Sequence, residues 1–188
     1  ELSYSAISQA IKEKDPQKFL FTIEFFPEEG KYHYDGHRSC KVRMSPQETK
    51  KVEGICPQCG GKLTVGVLSR VEELADRPVG FKPQGAIPYK SLVPLAEIIA
   101  EVLGVQSRTK KVEEQYQKLI NHFSNEFTVL LDADLDEMKK VVDLEIAQGI
   151  ERARKGDLII EPGYDGEYGK IRLFKEEKET VKPQDQLF

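Results

Sequence analysis

The sequence has no tryptophan, only two methionines, and only three cysteines and three histidines among 188 residues. Each shortage excludes something. An odd number of cysteines, two of them in a Cys-x-x-Cys, does not build a disulfide framework; it fits reduced thiols and metal ligation in a cytoplasmic protein. Three histidines without a His-x-His pair are too few for a multi-metal phosphoesterase site, which needs several convergent ligands to activate water and neutralise phosphate. No apolar run approaches the ~18 residues of a membrane-spanning helix, so no membrane partner is expected. The opening residues 1–15 lack the basic start, apolar middle and small-residue cleavage site of a secretory signal. The chain begins at Glu1, not methionine, and a piece of a longer protein is expected.

Positive charge is not in excess. The 28 Lys and Arg stand against 32 Asp and Glu, a net charge of −4, which argues against bulk attraction to nucleic acid. Its distribution is uneven. Residues 30–92 carry eleven basic against six acidic residues, and residues 160–188 carry five against seven. A locally basic stretch inside an acidic chain is therefore expected.

What is present reads as α+β. Residues 3–14 predict a short helix, with Leu2, Ile7, Ala10 and Ile11 on one side and Asp15-Pro16 as its stop. The β-branched and aromatic run 19–26 predicts a strand ending at Pro27. Residues 27–61 are rich in turn formers, hold all three cysteines, and are too poor in apolar residues to make a core unaided. A half-buried strand is expected at 62–68 from the alternation of Leu63, Val65 and Val67, then a short helix over 69–75. Residues 78–91, with three prolines and two glycines, read as a connector. Helices are predicted at 93–103, 109–123 and within 135–154, the last broken near Asp143. FTVLL at 127–131 is expected as a strand or buried turn. The runs 157–163 and 170–174 predict a β-hairpin. The implied order is a leading segment 1–26, a zinc ribbon at 27–77, the connector, a helical domain with a terminal hairpin at 92–175, and a tail at 176–188.

His37 and Cys40, fifteen residues, then Cys56 and Cys59 form the pattern that carries chemistry. Zinc takes four soft or borderline ligands in a tetrahedron, and two pairs at three-residue spacing on tight turns supply them with little strain. Gly36, Pro57, Gly60 and Gly61 provide the turns. Four protein ligands fill the coordination, so the zinc is expected to be structural. His33, four residues upstream, is an alternative to His37. A redox Cys-x-x-Cys opens a helix, whereas this one runs into Gly-Gly and an expected strand. DADLD at 132–136 reads as helix capping in preference to a cation site.

Four longer runs, FTIEFFPEEGKYHYDGHRSC, ICPQCGGKLTVGVLSRVEELADRP, AIPYKSLVPLAEIIAEVLG and EPGYDGEYGKIRLF, resemble the C-terminal half of the Endonuclease Q family over roughly residues 1–175. That resemblance implies a DNA-repair nuclease whose catalytic metals sit in a PHP-type phosphoesterase domain, followed by a zinc region and a helical region that help grip DNA. Residues 1–26 would be the end of the PHP domain, and the catalytic metals would lie outside this chain. The implied substrates are DNA strands with deaminated bases or abasic sites, nicked 5′ of the lesion. Archaeal members tend to have cysteine at the first zinc position, so His37 departs from them and leaves the choice between His33 and His37 open.

Holding an unstacked base requires aromatic surface beside phosphate-binding cations. Lys31, Tyr32, Tyr34 and Arg38 offer this next to the zinc motif, and Tyr164 and Tyr168 in a glycine-bearing turn. Arg70, Arg77, Lys82 and Lys90 are candidate phosphate contacts. The final QDQLF is similar to the short bacterial sliding-clamp-binding motif, with Gln184, Leu187 and Phe188 at its anchor positions. Two alternatives stay open: a zinc-ribbon adaptor for protein partners such as the clamp, and part of a PHP phosphoesterase acting on small phosphate esters.

Overall fold

A computed structural model describes residues 2–174. The side chain of Ser3 caps helix α1 (Tyr4–Glu13) by accepting from Ala6 N at 3.3 Å, and Lys14 ends it in the left-handed conformation. Strand β1 (Thr22–Glu24) follows, then a 3-10 turn at Pro27–Glu29. Strands β2 (Asp35–His37) and β3 (Val42–Met44) pair antiparallel across a second 3-10 turn, Arg38–Cys40. Ser45 and Glu48 close a capping box on α2 (Pro46–Lys51). Helix α3 (Val67–Leu74) comes next, and β4 (Tyr89–Ser91), the last part of the expected connector, lies parallel to β1.

Five helices then build the main core: α4 (Leu95–Leu103), α5 (Lys110–Phe123), α6 (Glu126–Leu131), α7 (Leu135–Val141) and α8 (Leu144–Lys155). Apolar residues at three- and four-residue spacing meet in one cluster: Leu95, Ile98 and Ile99 with Val112, Leu119, Met138, Ile146 and Ile150. Burying each Leu or Ile contributes ~1.5–3 kcal/mol. Gly149 lets α8 approach α4 closely, since a Cβ there would sit 2.8 Å from Val102 Cγ2. Polar groups fix the helix ends. Glu126 accepts from the backbone N–H of Leu95 at 2.8 Å and from the Tyr116 hydroxyl at 3.0 Å. Arg154 donates to the carbonyls of Ala133 and Val129. The antiparallel hairpin β5 (Ile159–Glu161) and β6 (Lys170–Arg172) closes the described chain, and Glu101 accepts from Leu173 N at 2.7 Å to hold it on α4.

The mixed α+β class agrees with the expectation, and α7 and α8 do break at Val142-Asp143. Two local expectations fail. Residues 62–68 are not a half-buried strand: Leu63 is buried, but Val65 is 66% exposed and Val67 is 62% exposed and opens α3. The backbone N–H groups of Val67 and Leu68 bond Tyr32 O and His33 O, which turns the chain out of the extended path. FTVLL is α6, neither strand nor turn, because Asn125 caps it by accepting from Thr128 N at 2.9 Å and helical spacing buries both Val129 and Leu130. DADLD supplies a cap: Asp134 accepts from the backbone N–H of Asp136 and Glu137. No helix among the described residues is long and apolar enough to cross a membrane. Gln184, Leu187 and Phe188 of the clamp motif lie outside the described residues.

Candidate metal centre

Two tight turns face each other. On the first, β2 ends at His37, the 3-10 turn delivers Cys40, and Lys41 reverses the chain at a φ of 53°. On the second, Cys56 N donates to Gly61 O at 2.7 Å and Gly60 N to Cys56 O at 2.9 Å, with Gly60 at a φ of 72°. The two turns are joined by a reciprocal backbone pair, Gly36 N to Thr64 O and Thr64 N to Gly36 O. A Cβ at Gly36 would collide with the Tyr164 ring and the Val42 carbonyl, so this approach needs glycine.

The result brings one donor atom each from His37, Cys40, Cys56 and Cys59 within 4.8 Å of one another. His37 Nδ1 is 3.3 Å from Cys59 Sγ. A tetrahedron with bonds of ~2.0–2.3 Å has edges of ~3.3–3.8 Å, so the donor set fits one metal ion. His33 is not in this group; its ring stacks on Tyr34 with centroids 5.5 Å apart. The Cys40 and Cys56 thiols are pushed in opposite directions. Hydrogen bonding to Cys59, with burial and Cys56 behind it, pushes Cys40 up to about 11. Burial works against ionising Cys56, but the backbone N–H groups of Cys59 and Gln58 and the His37 side chain outweigh it and draw Cys56 down to about 6. A cation held by this group would favour the thiolate forms that its coordination requires.

Two carboxylates brace the centre. Asp35 is fully buried and accepts from Gly66 N at 2.6 Å and from the Ser69 hydroxyl, fastening the start of α3 to β2. Asp165, on the loop between β5 and β6, accepts from Arg38 N and from the Thr64 hydroxyl, both at 2.6 Å. The same loop is bonded along the chain entering the first turn: Tyr34 N to Gly163 O, Gly166 N to Lys31 O and Gly169 N to Glu29 O. Neither carboxylate was among the residues expected from sequence. Their signal is the tripeptide Tyr-Asp-Gly, which occurs at 34–36 and again at 164–166; Tyr34 and Tyr164 form a parallel bridge.

This interlacing brings together two groups far apart in sequence, residues 31–38 and 163–170. Lys31 Nζ lies 5.6 Å from the centre of the Tyr32 ring and 5.8 Å from that of Tyr168. Tyr168 is 73% exposed and Tyr32 45%. Arg38 is exposed beside Gly166. Tyr34 and Tyr164 are half-buried and serve the packing of the loop. The other candidates stand on different elements with partners of their own. Arg70 on α3 pairs with Glu73 at 2.8 Å, Arg77 lies over Phe81 and Lys90 over Phe21. Lys82 is exposed in the connector.

Comparison with known proteins adds to this geometry. Residues 94–157 match the family described as the MJ0043 C-terminal domain. The MJ0043 protein of Methanocaldococcus jannaschii is 39% identical over 178 residues, 95% of this chain and 22% of that protein. YqxK of Bacillus subtilis is 29% identical over 170 residues, 90% of this chain and 40% of that protein. The crystal structure of the lesion-specific endonuclease PfuEndoQ from Pyrococcus furiosus is similar at a TM-score of 0.80 and 34% identity, over 98% of this chain and 45% of that one. Endonuclease Q in complex with a 27-mer duplex substrate, an abasic lesion at its active site, is similar at a TM-score of 0.76 and 34% identity, over 98% of this chain and 46% of that one. The chain thus spans less than half the length of each of these relatives.

Proposed function

From the premise that this is a partial Endonuclease Q-like chain, we propose that it is the zinc-braced, DNA-gripping part of an endonuclease acting at deaminated bases or abasic sites, without catalytic metals of its own. The metal held by His37, Cys40, Cys56 and Cys59 is zinc, because a tetrahedral set of three sulfurs and one imidazole selects it over oxygen-seeking cations. With all four positions taken by protein, it shapes the loop and activates no water.

One observation carries the DNA reading: Lys31, Tyr32 and Tyr168 converge on one exposed surface beside the metal turn. An ammonium next to two exposed rings offers a phosphate contact and stacking surfaces together, the two ingredients of non-sequence-specific strand binding. The solved relative in complex with an abasic duplex supports a role in DNA binding. Of the other candidates, Arg38 belongs to this surface, its Nη1 and the Tyr32 hydroxyl both lying beside Gly166, while Arg70, Arg77, Lys82 and Lys90 stand as separate phosphate contacts.

Fluorescence anisotropy of the 188-residue chain with an abasic duplex tests the reading. Affinity should fall as salt rises, with a slope of ~0.9 per phosphate neutralised. Native mass spectrometry should find one zinc per chain. Absence of salt-dependent DNA binding would sink the DNA role, and a metal turn that keeps its backbone protection without zinc would sink the metal role.

A further inference from the structure

The two sulfurs of the second metal turn differ in their surroundings. Cys56 is 1% exposed, whereas Cys59, three residues on, is exposed. The Gly60-Gly61 pair that follows contributes to this. A Cβ at Gly61 would lie 3.4 Å from Cys59 Sγ and 3.9 Å from His37 Cε1, so a side chain there would help to cover the sulfur. A Cβ at Gly60 would meet nothing within 4 Å, so that flank is free as well. Two glycines thus leave Cys59 bare where the chain could have shielded it.

This exposure matters because a metal keeps its cysteine ligands as thiolates, the form that attacks an oxidant. A partner for an oxidised Cys59 is already in place. Gly60 N donates to Cys56 O at 2.9 Å, which closes the turn around Cys59. Residues three apart in a tight turn have Cα atoms less than about 7 Å apart, and a disulfide spans roughly 4.4–6.8 Å between Cα atoms. The donor atoms of the group lie within 4.8 Å of one another. Placement on the chain decides the consequence. His37 and Cys40 stand on the first turn, Cys56 and Cys59 on the second. Loss of the second pair leaves both remaining ligands on one turn, and nothing metal-borne then ties the two turns together.

We infer that Cys59 is a peroxide-reactive site whose oxidation joins it to Cys56, frees the metal and unfastens the two turns. The inference rests on the zinc reading above and adds a redox response to it. The Cys59 thiolate attacks one peroxide oxygen; the O–O bond breaks, and a sulfenic acid and hydroxide form. The Cys56 thiolate then attacks the Cys59 sulfur, forms the S–S bond and expels a second hydroxide. Two thiolates have lost two electrons and one peroxide has gained them. A dithiol returns the electrons by exchange and restores both ligands. The role differs from that of an electron-passing Cys-x-x-Cys at the start of a helix, because here the metal turn itself responds.

The test uses the 188-residue chain, shown beforehand by native mass spectrometry to carry one zinc, and hydrogen peroxide. A colorimetric chelator follows zinc release against a peroxide-free control, and peptide mapping after alkylation follows the thiols. One zinc should be released per two thiols lost, with Cys56 linked to Cys59 and Cys40 still open to alkylation. Dithiothreitol with added zinc should restore the starting state. Gly61→Ala keeps all four ligands and should slow release several-fold by covering Cys59 Sγ. If that variant fails to load zinc, the mapping of the wild type decides alone. Four results overturn the inference while sparing the zinc reading: zinc retained under peroxide, Cys59 oxidised without a link to Cys56, a link from Cys59 to Cys40, or an unchanged rate in zinc-loaded Gly61→Ala. A chain that carries no zinc at the outset removes both.

Discussion

The Asp165 carboxylate accepts a hydrogen bond from the backbone N–H of Arg38 at 2.6 Å, so a side chain from the terminal hairpin loop holds the residue that follows the metal ligand His37. With its second oxygen on the Thr64 hydroxyl, Asp165 spans both sides of the metal turn.

Asp165→Ala should destabilise the chain by about 1–3 kcal/mol, since it leaves a backbone donor and a hydroxyl without their charged acceptor. The pH dependence has a defined sign. The Arg38 N–H first, then the Thr64 hydroxyl, hold this carboxyl below its ordinary value of 3.8. Its contribution is therefore complete above that value and is lost as pH falls through the lower folded one. The stability difference between wild type and Asp165→Asn, followed by urea unfolding, should be constant near neutral pH and shrink below about pH 4. A difference that grows on acidification contradicts the assignment.

Asp35 should matter at least as much. It is the buried carboxylate that Gly66 N–H and Ser69 Oγ–H both donate to, so Asp35→Ala strands a buried backbone donor at a cost of about 1–3 kcal/mol. Limited proteolysis should then cut within residues 66–74 before any other described segment. Unchanged cleavage would show that α3 is held by something else.

Removing the metal should loosen one part of the molecule and spare the other. After chelation, or in Cys56→Ser, hydrogen exchange should accelerate at the backbone N–H groups of Gly36, Thr64 and Tyr34. Those of α4 and α8 should keep their protection, because their core holds no metal ligand. Uniform acceleration across both would mean that the two regions unfold as one unit.

Gly149→Ala sets two effects against each other. Alanine favours a helix interior over glycine by about 1 kcal/mol. The added methyl, however, meets Val102 Cγ2 at 2.8 Å, and overpacking of this kind costs about 1–3 kcal/mol. A net loss in melting temperature is expected, and adding Val102→Ala should recover part of it. Stabilisation by Gly149→Ala alone would show that α4 and α8 can separate freely.

Much of this architecture was legible from spacing. The helical periodicity of Leu95, Ile98 and Ile99, the stop at Gly104, the break before Asp143 and the paired ligand turns all depend on residues within a few positions of each other. What escaped was non-local. Residues 62–68 alternate like a strand, yet Asp35, some thirty residues earlier, supplies the acceptor that starts α3 there. FTVLL has strand composition, but Asn125 and the face offered by α4 and α5 make it helical. The aromatic groups at 31–38 and 163–170 were each recognisable, and nothing local indicated that they share one surface. The repeated Tyr-Asp-Gly was the only sequence trace of that pairing.

The loop that Asp165 belongs to lies 127 residues downstream of Arg38, which sets an order of assembly. A chain emerging from the ribosome presents its metal ligands long before their clasp exists. The early segment can capture its cation, but its outer strap must wait until the intervening helices have condensed and carried the hairpin back. Maturation of this surface is thus gated by a stretch synthesised well after the metal ligands it clasps.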